Sequence, residues 1–294
     1  MGTSVSSTGP KGGVPLVPPW VPNIESEPGA TGPDQESGGD QGEQSPANQD
    51  IAGNQEELSP DKTQPPPTMA KPMRFIGATK SLGNHAGTGD SKSLKRGLKH
   101  YSRSGLGGSR KAAARMARTA RNAGALYGAL HALGGRGEAP PDLEIDLKSL
   151  SGRPAREITD RLAEAISPND GSQDSDANRE SISQALTELI SANPDVDLSA
   201  LGDEQIASVV ESYICNDISH RVELDVGKSI FDKAPNPATA QQRLDEMHSY
   251  IRQCVAAAFE DKGGLNPNLS QYDVARTSRD IIQRTFEVFE EYIQ

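Results

Sequence analysis

The 294-residue chain is poor in the residues that build catalytic centres and cross-linked folds. Its two cysteines, Cys215 and Cys254, are too few for a disulfide framework or a zinc site. Hydrophobic residues make up 34% and aromatics 4%, so less folded mass is expected than the length allows. No apolar run approaches the ~20 residues of a membrane span. No charged start leads into the apolar stretch of a secretory signal. The five histidines (His85, His100, His131, His220, His248) show no HExxH or other ligand spacing. No GxSxG is present, and no carboxylate pair has a reason to be catalytic. These absences fit a soluble, cytoplasmic, non-enzymatic chain with reduced thiols, no cofactor and no metal.

Two partial motifs fail on inspection, and a third fits but is weak. Gly227-Lys228-Ser229 is similar to the end of a phosphate-binding loop, but Val222 stands where that loop needs glycine, and the pattern around it is helical. Asp170, Asp174, Asp176, Asn178 and Glu180 could start a calcium loop. Counting from Asp174, however, Arg179 takes the glycine position and Ala185 the glutamate position. A solvated loop capped by Ser175 or Asp176 is the better reading. Gly2 and Ser6 fit an N-myristoylation pattern, which is short.

What the chain does have is segregated charge. The net of −11 conceals three blocks. Residues 1–70 hold ten acids and two bases, residues 71–121 thirteen bases and one acid, and residues 122–294 fifteen bases and thirty acids. A basic block between acidic ones can grip nucleic acid or pair with acidic protein surface.

Hydrophobic periodicity predicts an all-α protein: a C-terminal bundle-like domain at 140–294, preceded by a basic helical segment at 71–135. Five apolar stripes, such as Ile182, Leu186, Leu189 and Ile190, run through the C-terminal part. In the basic segment Gly83, Gly87 and Gly89 are expected to break the chain. Ser91 should cap a short helix, and Ser109 a longer one ending at Gly134. The basic residues Lys95, Arg96, Lys99, Arg103, Arg110, Lys111, Arg115, Arg118 and Arg121 are candidate contacts for nucleic acid or an acidic partner. A solvated structural face is the plainer alternative.

Residues 23–70 are Glu, Asp, Gln, Gly, Ser and Pro with almost nothing apolar, a composition expected to stay disordered. Ahead of this linker, residues 1–22 (MGTSVSSTGPKGGVPLVPPWVP) form a different kind of arm. Val14, Leu16, Val17 and Trp20 alternate with Pro15, Pro18 and Pro19, and Trp20 is the only tryptophan. Prolines favour an extended chain that cannot bury its own apolar groups and so fits a partner's groove. Loss of Met1 would leave Gly2 with an unhindered amine of pKa about 7.7–8.0.

The opening MGTSVSSTGP with GGVPLVPPWVP, the middle runs RFIGATKSLGNHAGTGD, KSLKRGLKHYSRSGLGGS and AGALYGAL, and the late runs DVGKSIFDKAPNPATAQQRLDEMHSYIRQCVAAAF and TFEVFEEYI together resemble the QatB family of the bacterial Qat anti-phage defence system. The resemblance implies partners: a QueC-like enzyme (QatC), an ATPase (QatA) and a TatD-like nuclease (QatD). It further implies that Gly2 can serve as protein acceptor of an ATP-dependent deazaguanine conjugation, with Val14–Trp20 docking on the QueC-like enzyme. The alternative is a scaffold or nucleic-acid adaptor, using residues 91–121, between ATPase and nuclease.

Overall fold

The computed structural model describes residues 71–265 and 269–291. It is all-α, as the periodicity predicts, and the described residues contain no strand. The order is α1 (Ile76–Thr88), α2 (Ser91–His100), a π-helical turn (Tyr101–Leu106), α3 (Ser109–Arg115), α4 (Ala117–Leu133), α5 (Ala155–Ile166), α6 (Gln173–Ala192), α7 (Asp203–Val222), a second π-helical turn (Glu223–Gly227), α8 (Lys228–Lys233), α9 (Pro237–Asp261) and α10 (Gln271–Glu291). The arm 1–22 and linker 23–70 lie outside the described residues, as does Ile293 of the last apolar stripe.

The core is organised around α7. Its buried residues, among them Ile206, Val209, Val210, Tyr213, Ile214, Ile218 and Val222, cover most of its circumference, so it packs against α6, α9 and α4 at once. The most extensive pairing is between α4 and α10, where Leu126 and Leu130 join Ile281, Ile282, Phe286 and Phe289 in the same apolar core. Residues of 71–135 and of 140–294 thus share one buried interior.

The glycines of the basic segment act otherwise than the sequence leads one to expect. α1 runs unbroken through Gly77, Gly83 and Gly87 and ends at Gly89, whose φ of 74° favours a residue without Cβ. Burial outweighs the entropic cost of glycine here, because Ala78, Leu82 and Ala86 make a continuous apolar stripe. At the α1–α2 crossing a Cβ on Gly97 would lie 2.7 Å from Leu82 Cγ, so glycine is what lets the two helices meet.

Local details differ at the helix ends. Asp90, not Ser91, caps α2, accepting from the backbone N–H groups of Lys92 and Ser93. The predicted long helix after Ser109 is two helices, broken at buried Met116 (φ −94°, ψ 23°). Ser172 caps α6 by accepting from the Ser175 N–H, in place of the predicted Ser175 or Asp176. Gly227-Lys228-Ser229 joins the second π turn to α8, and Ser229 Oγ donates to the Val226 carbonyl, so the triplet lies in helix and does not form a phosphate loop.

Candidate functional site

The two π turns face one another. π turns widen the helix by one residue, and they recur at functional sites. Tyr101 of the first is buried and stacked on Phe75, with ring centroids 5.6 Å apart. Its hydroxyl donates to Asp225 Oδ2 of the second turn at 2.8 Å. Burial raises the Asp225 carboxyl above the usual carboxylate range, opposed by the Tyr101 hydrogen bond and by the charges of Arg115, Arg74 and Arg221. Burial, and then Asp225 itself, holds the Tyr101 hydroxyl far above its usual value, so it remains a donor. A cavity of about 80 Å³ between the turns is lined by Tyr101, Arg115, Asp174, Arg221 and Asp225.

Behind it lies a buried polar pin. Asp217, fully buried on α7, accepts from Thr119 Oγ1 of α4 at 2.6 Å and from Arg221 Nε at 3.0 Å. Arg221 Nη1 also donates to Asp174 at the start of α6 (3.0 Å). Burial opposes the Arg221 charge, but Asp217 and Asp174 outweigh it and raise its pKa. Tyr213 and Asn122 both donate to Asn178 Oδ1. These bonds join α4, α6 and α7 with most donors satisfied, as a buried network requires.

The basic candidates divide between interior and surface. Arg118 donates to Asp170 at 2.8 Å, and Arg115 turns toward Asp225. Lys95 Nζ lies 5.3 Å from the centre of the Tyr250 ring. Lys99 and Lys111 are half-buried, while Arg103, Arg110 and Arg121 are exposed. Arg103 shares a shallow depression with Glu287, Glu290 and Glu291. Asp170 and Asp174, considered as calcium ligands, serve Arg118 and Arg221 instead. Among the described residues no group of His, Cys, Asp and Glu has metal-site geometry.

Two grooves flank α8, and neither was apparent from the sequence. The first, about 630 Å³, is lined by Ala177, Glu180, His220, Leu224, Lys228 and Phe231, among others. Phe231 is 50% exposed and Leu224 37%. Ser181 Oγ donates to the Ala177 carbonyl and so accepts from His220 Nδ1 (2.9 Å), which leaves Nε2 as the ring's acceptor. The second groove, about 980 Å³, is bounded by Ile76 (53% exposed), Lys80, Arg96, Lys228, Asp232 and Lys233, with small residues of α1 along its floor. Arg96 Nε is buried there without a hydrogen-bond partner. His100 also lines it, and burial, then Arg96 and Lys99, lower its pKa, so it adds no charge at neutral pH. Periodicity could not expose these surfaces, because Phe231 continues the apolar pattern of α7 and looks like core.

No helix among the described residues is long and apolar enough to cross a membrane. Gly2 and Val14–Trp20 lie outside the described residues, so the structure leaves the arm unplaced. Comparison with curated proteins found no match, and neither did comparison with solved structures. A family model described as Qat anti-phage system associated protein QatB matches residues 107–289, from the end of the first π turn to the last core residues of α10. This match spans well over half of the chain, which belongs to the QatB family of the Qat anti-phage system.

Proposed function

We propose that this chain is a non-enzymatic component of the Qat system that binds a QueC-like enzyme and offers Gly2 as the acceptor of a deazaguanine. The observation that carries this reading is the arm itself. Gly2, which loss of Met1 would leave as an unhindered amine, is followed within twenty residues by Val14–Trp20, an apolar, proline-spaced run that needs a groove. The family match supports membership of the system and covers the body, not the arm. In the proposed reaction the carboxylate of a deazaguanine attacks the α-phosphorus of ATP on the enzyme, the acyl adenylate forms and pyrophosphate leaves. The Gly2 amine attacks the acyl carbon, a C–N bond forms, AMP leaves with the bonding pair, and the amine loses a proton. Docking of Trp20 and its neighbours raises the local concentration of the amine. The helical body is the carrier and the surface for further partners, the ATPase and the TatD-like nuclease among them.

The docking half of this reading is tested by co-purification with the QueC-like enzyme. The full chain should retain the enzyme. Removal of residues 2–22 should abolish retention, and Trp20→Ala should weaken it. Equal retention by all three would place docking elsewhere and favour a scaffold.

A second reading rests on the exposed Arg103, Arg110 and Arg121. Nucleic-acid binding through them would weaken with salt, with a log–log slope of about −0.9 per phosphate contacted. Absence of binding to duplex or single strands at low salt would remove it.

A further inference from the structure

The grooves beside α8 are unequal in chemistry and ordered along the body. The chain enters the described structure at Lys71 and reaches Ile76, a wall of the second groove, within one short turn. That groove is cationic: Lys80, Arg96, Lys228 and Lys233 face a single acid, Asp232. Lys228 also lines the first groove, so the two adjoin. The first groove is apolar, through Ala177, Leu224 and Phe231, with Asp176, Glu180 and Glu223 at its edge. Glu180 has no ion-pair partner among the described residues.

The chain outside the described residues has the opposite chemistry in the same order. The stretch nearer the body, 23–70, carries ten acids and one base. The stretch farther out, 1–22, has no acid, one base (Lys11) and the free amine, together with the apolar run to Trp20. The roughly fifty residues between Trp20 and Lys71 span at most about 160–180 Å when extended, so length does not prevent either stretch from reaching its groove. Tethering makes the encounter intramolecular, so a groove of weak intrinsic affinity is filled.

We propose that the N-terminal tail docks on its own body: the acidic linker follows the cationic groove between α1 and α8, and Val14–Trp20 seats against Leu224 and Phe231 in the groove between α6 and α8. The docked arm withholds Trp20 from other grooves until a partner displaces it. The proposal stands apart from the acceptor reading, since it concerns the protein alone and needs neither enzyme nor conjugation.

Trp20, as the only tryptophan, makes the test specific. Emission and acrylamide quenching are measured for the full chain and for a synthetic peptide of residues 2–22. The expected result is a blue-shifted, quencher-protected Trp20 in the full chain. Phe231→Glu and, independently, Leu224→Glu should move it to the peptide's values, and added salt should shift it part of the way. Both residues are exposed, and far-UV circular dichroism checks that each variant folds. Emission and quenching equal to those of the free peptide would overturn the proposal. A protected Trp20 unmoved by both substitutions would also overturn it. Protection that disappears on dilution would overturn docking in cis in favour of a second copy.

Discussion

Arg221 bridges two acids, one on α6 and one on α7. It holds Asp217, which has no solvent exposure, and reaches Asp174 on α6. Arg221→Met strands a buried carboxylate, which costs about 3–5 kcal/mol. Urea unfolding should show that loss, and Asp217→Asn in the same chain should recover a large part of it. The two thiols make a second test. Burial pushes Cys215 and Cys254 up to about 11 from an ordinary 9. At neutral pH neither should react with iodoacetamide until the chain unfolds. The folded pKa values lie above the unfolded ones. The stability linked to them is therefore complete below pH 9 and is lost as pH rises towards about 11. Cys254 stands at helical spacing with Ile251, Val255 and Ala258, so its burial was legible in the sequence pattern. The fate of Arg115 and Arg118 was not: their spacing resembles a solvated face, and their acidic neighbours, Asp225 and Asp170, lie far along the chain.

At the scale of elements, close helix approach decides the packing. A Cβ at Gly124 of α4 would fall on the backbone carbonyl oxygen of Gln271, which cannot move without shifting α10. Gly124→Ala should therefore destabilise by about 1–3 kcal/mol, although alanine alone would favour the helix by about 1 kcal/mol. Gly128→Ala, which meets the Gln271 and Pro140 side chains at 3.2 Å, should cost less, because side chains yield more readily. Thermal unfolding of the pair separates the two effects. Periodicity found α5, α6, α7, α9 and α10 because their apolar stripes repeat at helical spacing, but it joined α4 to α3 and α8 to α7. It misread α1, where the glycines that signal a break in isolation permit contact with α2 and α8. Neither π turn has a periodic signature. The bond that joins them, from Tyr101 to Asp225, links residues far apart in the sequence.

Across the whole molecule, the charge segregation seen in the sequence finds partial compensation in the fold. Arg118 pairs with Asp170, Arg115 faces Asp225, and Arg103 sits among Glu287, Glu290 and Glu291. The cationic groove lined by Lys80, Arg96, Lys228 and Lys233 is the counterpart proposed for the acidic linker. The reading of the arm rests on the sequence alone, on its prolines, its lone tryptophan and Gly2, whereas the groove proposed to hold it was not legible there, because an exposed Phe231 cannot be told from a buried one by spacing. The central claim, that the arm is an acceptor carried by the body, is tested most directly by the intact mass of the full chain. The chain would be co-expressed with the QueC-like enzyme proposed to bind it and a supply of the deazaguanine precursor, and its N-terminal peptide then sequenced. The expected result is a chain without Met1, bearing one deazaguanine in amide linkage on Gly2. A mature chain at its plain sequence mass, with Gly2 bare, would contradict the claim.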